Sequence, residues 1–140
     1  MAEISFEKYK IITYEHWELF LHKYQFPYLG RCYAWAKRED AKRTIDMGKT
    51  ERDELFDIII PEWDKAINEL FQHDWHNISS LGNTSPHLHW HLIPRYQSEK
   101  IFYNMKFIDP NPKGNYAPYP KQNISQEILE KIKSDISKII

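Results

Sequence analysis

Three of the seven histidines fall within five residues, in the run His87-Leu88-His89-Trp90-His91-Leu92-Ile93. In an extended chain alternate side chains share a face, so the three imidazoles point one way and Leu88, Trp90 and Leu92 the other. The apolar set can pack on a core while the imidazoles line an open surface. Three readings fit that arrangement. Imidazole is the commonest zinc ligand, and two histidines at i, i+2 can share an ion. Residues i and i+4 of a strand stand ~13 Å apart at ~3.3 Å per residue, so one ion cannot take all three without a bend. A zinc-dependent hydrolase using two of the three is therefore one alternative. Neutral imidazole is also a nucleophile and a proton carrier, and clustered rings suppress each other's protonation by like-charge repulsion. The plain alternative is a set of polar residues on an exposed strand.

The elements that must hold these residues can be read from periodicity. His87–Tyr96 alternates and predicts a strand. Ile4–Lys23 is rich in β-branched and aromatic residues, and Trp17, Leu19 and Leu21 alternate with Glu18, Phe20 and His22. Tyr24–Gly30 carries Pro27 and Gly30 and reads as a turn, so Arg31–Lys37 returns as a buried strand and closes an antiparallel hairpin. Thr50–Gln72 predicts a helix with Thr50 as N-cap. Leu55, Ile59, Trp63, Ala66, Ile67 and Leu70 form its core stripe, and Pro61 kinks or splits it near Ile60. Asn77–Ser80 predicts a short strand and Leu81–Pro86 a turn. Phe107–Gln122, with Pro110, Pro112, Gly114, Pro118 and Pro120, reads as a long loop suspected of function or of packing across the surface. Ser125–Ile140 predicts a last helix with the stripe Ile128, Ile132, Ile136 and Ile139. It is expected to pack back on the sheet or on a second subunit rather than extend into solvent. The fold class is α+β: an antiparallel sheet of about five strands, a helix packed on one face and a C-terminal helix.

At 140 residues the chain has the size of one domain, expected to span 1–140 with a core over about 10–97 and a loop and helix over 98–140. Net charge is −1, from 19 basic and 20 acidic residues, which argues against a general nucleic-acid binder. Cys32 stands alone, so no internal disulfide forms and a reducing compartment is expected. The longest apolar run, Cys32–Ala36, is far short of the ~20 residues of a membrane helix, and MAEISFEKYK holds no apolar signal segment. A cytoplasmic location is the expectation. Five Trp and nine Tyr suit ligand pockets and interfaces, and equally an aromatic-rich core.

His87-Leu-His89-Trp-His91-Leu-Ile resembles the signature of the histidine-triad (HIT) proteins. Pro94 and Arg95 follow it as in the branch that hydrolyses dinucleoside polyphosphates. Gly82-Asn83-Thr84 resembles the element just before the triad, and Asn77 falls about where a phosphate-binding amide is usual. Leu29–Arg38 resembles the Gly-led central strand that ends in Pro-Lys-Arg, with Ala36 in place of the proline and Glu39-Asp40 where a histidine often follows. The turn that usually offers an Asp or Asn to ribose reads His22-Lys23-Tyr24-Gln25, so Gln25 or Lys23 would have to substitute. The resemblance covers about residues 10–97.

That resemblance implies a nucleotidyl hydrolase or transferase, similar to diadenosine polyphosphate hydrolases and nucleoside phosphoramidases. It would cleave a nucleotide conjugate at the α-phosphate through a nucleotidyl-histidine intermediate. It makes His89 the nucleophile, His87 and His91 its catalytic neighbours, and Asn77, Asn83, Thr84 and Gln25 substrate-binding. It assigns no metal ligand and no built-in cofactor, with Mg²⁺ arriving only on a polyphosphate. It also implies a nucleotide small-molecule substrate, no membrane or nucleic-acid partner, and a homodimer. Arg95 fits either a distal phosphate or a salt bridge, and Lys113, Asn115 and Tyr116 either a ligand or a partner subunit. The alternative of another class is a nucleotide-binding protein without turnover.

Overall fold

The computed structural model describes residues 6–140, so the first residues of the Ile4–Lys23 region lie outside it. Five strands form one antiparallel sheet in the order β1-β2-β3-β5-β4: β1 (Lys10–Thr13), β2 (Trp17–Leu21), β3 (Cys32–Ala36), β4 (Trp75–Ser79) and β5 (His89–Arg95). The period-2 alternation decides which side is buried. Trp17, Leu19 and Leu21 of β2, Cys32, Ala34 and Ala36 of β3, and Leu92 of β5 face the helices and are at most 1% exposed. Small residues on the central strand leave room there for the large side chains of the covering helix.

That helix begins as α1 (Lys49–Glu54), widens into a π-turn over Leu55–Ile59 and continues as α2 (Ile60–Phe71). The predicted N-cap Thr50 lies inside it. Gly48 holds the cap position, and the Glu51 carboxylate accepts its N–H at 2.7 Å. The interruption expected near Ile60 is a π-turn within a helix that runs on past Pro61. The preceding turn is under-wound, with Ile60 N–H reaching back to Leu55 O, and this absorbs the proline where an α-turn would clash. The stripe buries Leu55, Ile59, Trp63, Ala66 and Ile67 as expected, but ends on Phe71 rather than Leu70.

Gly30 fixes how closely this helix approaches. Its φ is +96°, and a Cβ there would stand 2.7 Å from Ile67 Cδ1, so both backbone and space require glycine. Trp63 Nε1 donates to Gly30 O at 3.1 Å and locks helix to turn. A second latch joins α2 to β4: Asp64 Oδ1 receives His73 Nε2 at 2.6 Å and His76 Nδ1 at 2.8 Å.

After β5 the chain makes a hairpin the sequence reading missed, β6 (Lys100–Phe102) and β7 (Met105–Phe107), turning through Tyr103 and Asn104 at positive φ. Phe107, read as the start of the loop, is the buried last residue of β7. The helix α3 (Gln126–Ile139) has Ser125 as N-cap, its Oγ accepting from Ile128 N. It packs back against α2 and β1, with Ile132 and Ile136 fully buried and Leu129 beside them. Ile139, placed in the stripe by periodicity, is 39% exposed. No helix among the described residues is long and apolar enough to cross a membrane.

Candidate active site

The face of the sheet turned away from the helices carries the histidines. His89 pairs with Trp35 and His91 with Tyr33 across β3, and His91 pairs with Ser79 across β4. The strand begins at His89 rather than at the predicted His87: Leu88 O still accepts from Ala36 N–H in register with β3, but Leu88 N–H turns away to Ala41 O. His87 lies just outside the strand but keeps the alternation, with Leu88 buried on the opposite side. Its ring folds onto Trp35, centroids 4.1 Å apart and 11° from parallel, while Trp35 also lies 5.4 Å from the His89 ring. The His89 and His91 rings meet edge to face at 5.1 Å. His87 and His89 thus stack on one indole, and His91 packs against His89.

Their tautomers follow from their partners, since a carbonyl oxygen only accepts. His89 Nδ1 donates to His87 O at 2.6 Å, which leaves Nε2 with its lone pair. His87 Nε2 donates to Ala36 O at 2.6 Å, which leaves Nδ1 bare. The His89 and His91 rings are also kept neutral. Burial lowers the His91 pKa to about 4, helped by the charge of Arg31 and by His89. Burial likewise lowers that of His89, against the carbonyl bond that favours its protonation. The result is an uncharged imidazole with one nitrogen anchored and the other available, the condition for a histidine nucleophile.

The predicted substrate residues separate into two groups. Asn83 and Thr84 are exposed on the loop that leads into His87. Asn77 sits on the triad face of β4, but its amide is engaged: Oδ1 accepts from Arg95 at 2.7 Å and Nδ2 donates to His76 O at 3.1 Å. Gln25 corrects the sequence reading. It is fully buried, and its amide bonds to His22 O, Arg31 O and Gly30 N–H, so it ties the turn together and has nothing left for a ligand. Arg95 takes the salt bridge and not a phosphate. It is 2% exposed, with Nε and Nη2 on Asp109 at 2.7 and 3.0 Å and its other donors on Asn77, Gly114 O and Asn111 O.

Four residues around the triad were not singled out from sequence. Trp35 is the platform described above, and strand alternation opposite Ala34 and Ala36 already places it on this face. Ser79 stands across from His91 with its buried hydroxyl unpartnered. His22 follows β2 and its ring lies 5.8 Å from that of His91. Arg31, across the ladder from His22, reaches under the tail to Tyr119. The triad is not among the sets of three convergent metal-type donors found in the described residues. Those are Asp64-His73-His76, on the helix side of the sheet, and Glu15-His16-Glu54.

No family model matches the chain, and no curated protein sequence matches it. Solved structures do. A histidine-triad protein from Bradyrhizobium japonicum is 20% identical with a TM-score of 0.70, over 94% of this chain and 89% of that one. A histidine-triad protein from Sinorhizobium meliloti is 18% identical with a TM-score of 0.69, over 98% and 94%. A hypothetical histidine-triad nucleotide-binding protein from Sulfolobus tokodaii is 18% identical with a TM-score of 0.66, over 93% and 81%. At such identities the likeness is one of architecture: the five-stranded antiparallel sheet, the helix between β3 and β4 and the C-terminal helix have the fold of the histidine-triad proteins.

Proposed function

We propose that the chain belongs to the histidine-triad family and is a nucleotidyl hydrolase or transferase. In this reading it cleaves a dinucleoside polyphosphate or another nucleotide conjugate at the α-phosphate. The observation that carries the reading is the anchored His89 ring: Nδ1–H on the His87 carbonyl at 2.6 Å and Nε2 bare in a ring kept neutral. The lone pair of Nε2 attacks the α-phosphorus. A nitrogen–phosphorus bond forms as the bond to the leaving group breaks, and the leaving group departs with the electron pair. Water then attacks the same phosphorus, the nitrogen–phosphorus electrons return to the ring and the water proton goes to solvent. One difficult displacement becomes two easier ones. His91 and the exposed Asn83 and Thr84 serve the phosphate oxygens in this scheme, while His87 orients the His89 ring through its carbonyl and Asn77 acts through Arg95 and the strand end. No built-in cofactor is required, and Mg²⁺ enters with a polyphosphate substrate. The active unit is a homodimer in this reading.

The test is His89→Ala. Turnover of diadenosine polyphosphates and of a nucleoside phosphoramidate should fall by about a thousandfold or more, with melting behaviour unchanged. Acid-quenched wild-type protein should carry one nucleotidyl group by mass. A folded His89→Ala protein with near wild-type turnover would overturn the covalent scheme. Unaltered nucleotide binding in a wild-type protein that never turns over would make this a binding protein instead.

A further inference from the structure

The two buried arginines of the sheet are treated very differently. Arg95 meets Asp109 and uses every donor it has. Arg31 is 3% exposed, and among the described residues no carboxylate forms an ion pair with it. Its Nη1 donates to the Tyr119 hydroxyl at 2.8 Å, and its guanidinium lies 5.8 and 5.2 Å from the ring centres of Tyr116 and Tyr119. Its Nε is buried with no partner. A guanidinium taken out of water without an opposing charge is costly, and stacking on tyrosines returns only part of that cost.

The surroundings add positive charge rather than relieve it. Lys23, from the turn after β2, and Lys121, from the tail, both stand over the Tyr24 ring, at 5.0 and 5.1 Å. The groups whose charge bears on His22 are Arg31, His91, Lys23 and Lys121, with no carboxylate among the principal ones. With burial as the larger cause, they drive its pKa down to about 2. Three cations from three separate segments therefore converge on one corner beside His91, in a chain whose net charge is −1. The missing member of this cluster is an anion.

We propose that His22, Lys23, Arg31 and Lys121 form a second anion subsite, which takes a phosphate group of the substrate other than the one attacked at His89. This rests on the proposed function for its link to the triad. It gives an advantage over single-phosphate conjugates to substrates with a second phosphate group, lying either farther along a polyphosphate chain or as an ester on the sugar. Neutral His22 offers a hydrogen bond there without a competing acid, and the tail closes the subsite through Tyr119.

The probes are inorganic tripolyphosphate and a nucleoside 5′-monophosphate, with binding measured calorimetrically at low salt on the full-length protein. Lys23→Ala/Lys121→Ala alters exposed side chains only. It should weaken tripolyphosphate by about tenfold, two exposed charge contacts at the upper end of their range, and leave the monophosphate within about twofold. Arg31→Gln should weaken tripolyphosphate more than Arg31→Lys does. A nucleoside 5′-diphosphate and a 3′,5′-bisphosphate then separate the two sources: the one whose advantage over the monophosphate disappears in the double variant carries the second phosphate. Unchanged tripolyphosphate affinity in the double variant, or equal weakening of the monophosphate, would overturn the subsite. Because this is a binding assay it is repeated in His89→Ala. Lysine-dependent tripolyphosphate binding in His89→Ala upholds the subsite apart from turnover, and the same binding in a wild-type protein that never forms a nucleotidyl adduct would sink the catalytic reading and leave the subsite standing.

Discussion

Asp109→Asn tests whether the tail is anchored by the buried charge at Arg95. The substitution keeps shape and one carbonyl oxygen, but removes the charge and turns one acceptor into a donor aimed at a donor. Asp109 is 7% exposed, and its oxygens hold Arg95 Nε and Nη2 at 2.7 and 3.0 Å and Asn111 N–H at 3.0 Å. Removing one partner of a buried ion pair costs about 3–5 kcal/mol, because the other charge stays behind unpaired. Unfolding entropy of ~2.1 cal/mol/K per residue over 140 residues is about 0.29 kcal/mol/K, so the expected fall in Tm is about 10–17 °C.

Differential scanning calorimetry on wild type and Asp109→Asn reads this directly. A second arm isolates the network. Buried ion pairs elsewhere are often replaced by apolar residues at no loss, but Arg95→Met/Asp109→Leu would here strand the Asn111 and Gly114 carbonyls and the Asn77 amide oxygen. The double variant should therefore melt below wild type as well. Below its melting range Asp109→Asn should show a raised KM for polyphosphate with kcat little changed, since the same tail carries Tyr119 to Arg31. A Tm within about 3 °C of wild type in Asp109→Asn would refute the anchoring argument, because under 1 kcal/mol is what an exposed pair supplies.

Depressed histidine pKa values should keep the triad active into acid: kcat/KM for a nucleotide conjugate stays level as pH falls through 6.5, and an acid limb centred at 6.5 or above would show that the attacking ring is not the buried one. The same depression has the opposite sign for stability, because the unfolded chain takes up protons that folded His22 and His91 refuse, so the urea midpoint should fall from pH 7.5 to pH 5. Ile132→Ala, at a fully buried position of α3, should cost about 2–5 kcal/mol by urea titration, and Ile139→Ala far less; equal losses would mean that α3 is not packed as seen.

What the sequence disclosed and what it hid have physical reasons that differ from element to element. The sheet strands were legible because one face is buried and one is not, so alternation at Trp17–Leu21 and around His89–Arg95 is imposed by packing. The nucleophile candidate was legible for the same reason: His89 sits where alternation puts it. His87 has the face alternation gives it, but the strand starts two residues later than predicted, because alternation says nothing about where a ladder begins and here Leu88 N–H turns away to Ala41 O. Thr50 was read as the cap from its side chain, whereas the cap at Gly48 is made by Glu51 reaching back, a bond chosen once Arg38 draws that carboxylate from across the fold. Gln25 looks like a ligand residue only while its neighbours are unknown. In the folded turn its amide is held by three backbone groups, His22 O, Arg31 O and Gly30 N–H. The β6–β7 hairpin is three residues a side, too short for periodicity to register, and it turns on Asn104 without a glycine. The cationic corner is the extreme case. Residues 23, 31 and 121 share no local pattern, and only the return of a proline-rich tail across the sheet brings them together. Charge that is scattered along a nearly neutral sequence becomes, after folding, a local excess beside the imidazoles, and that excess is a property of topology rather than of composition.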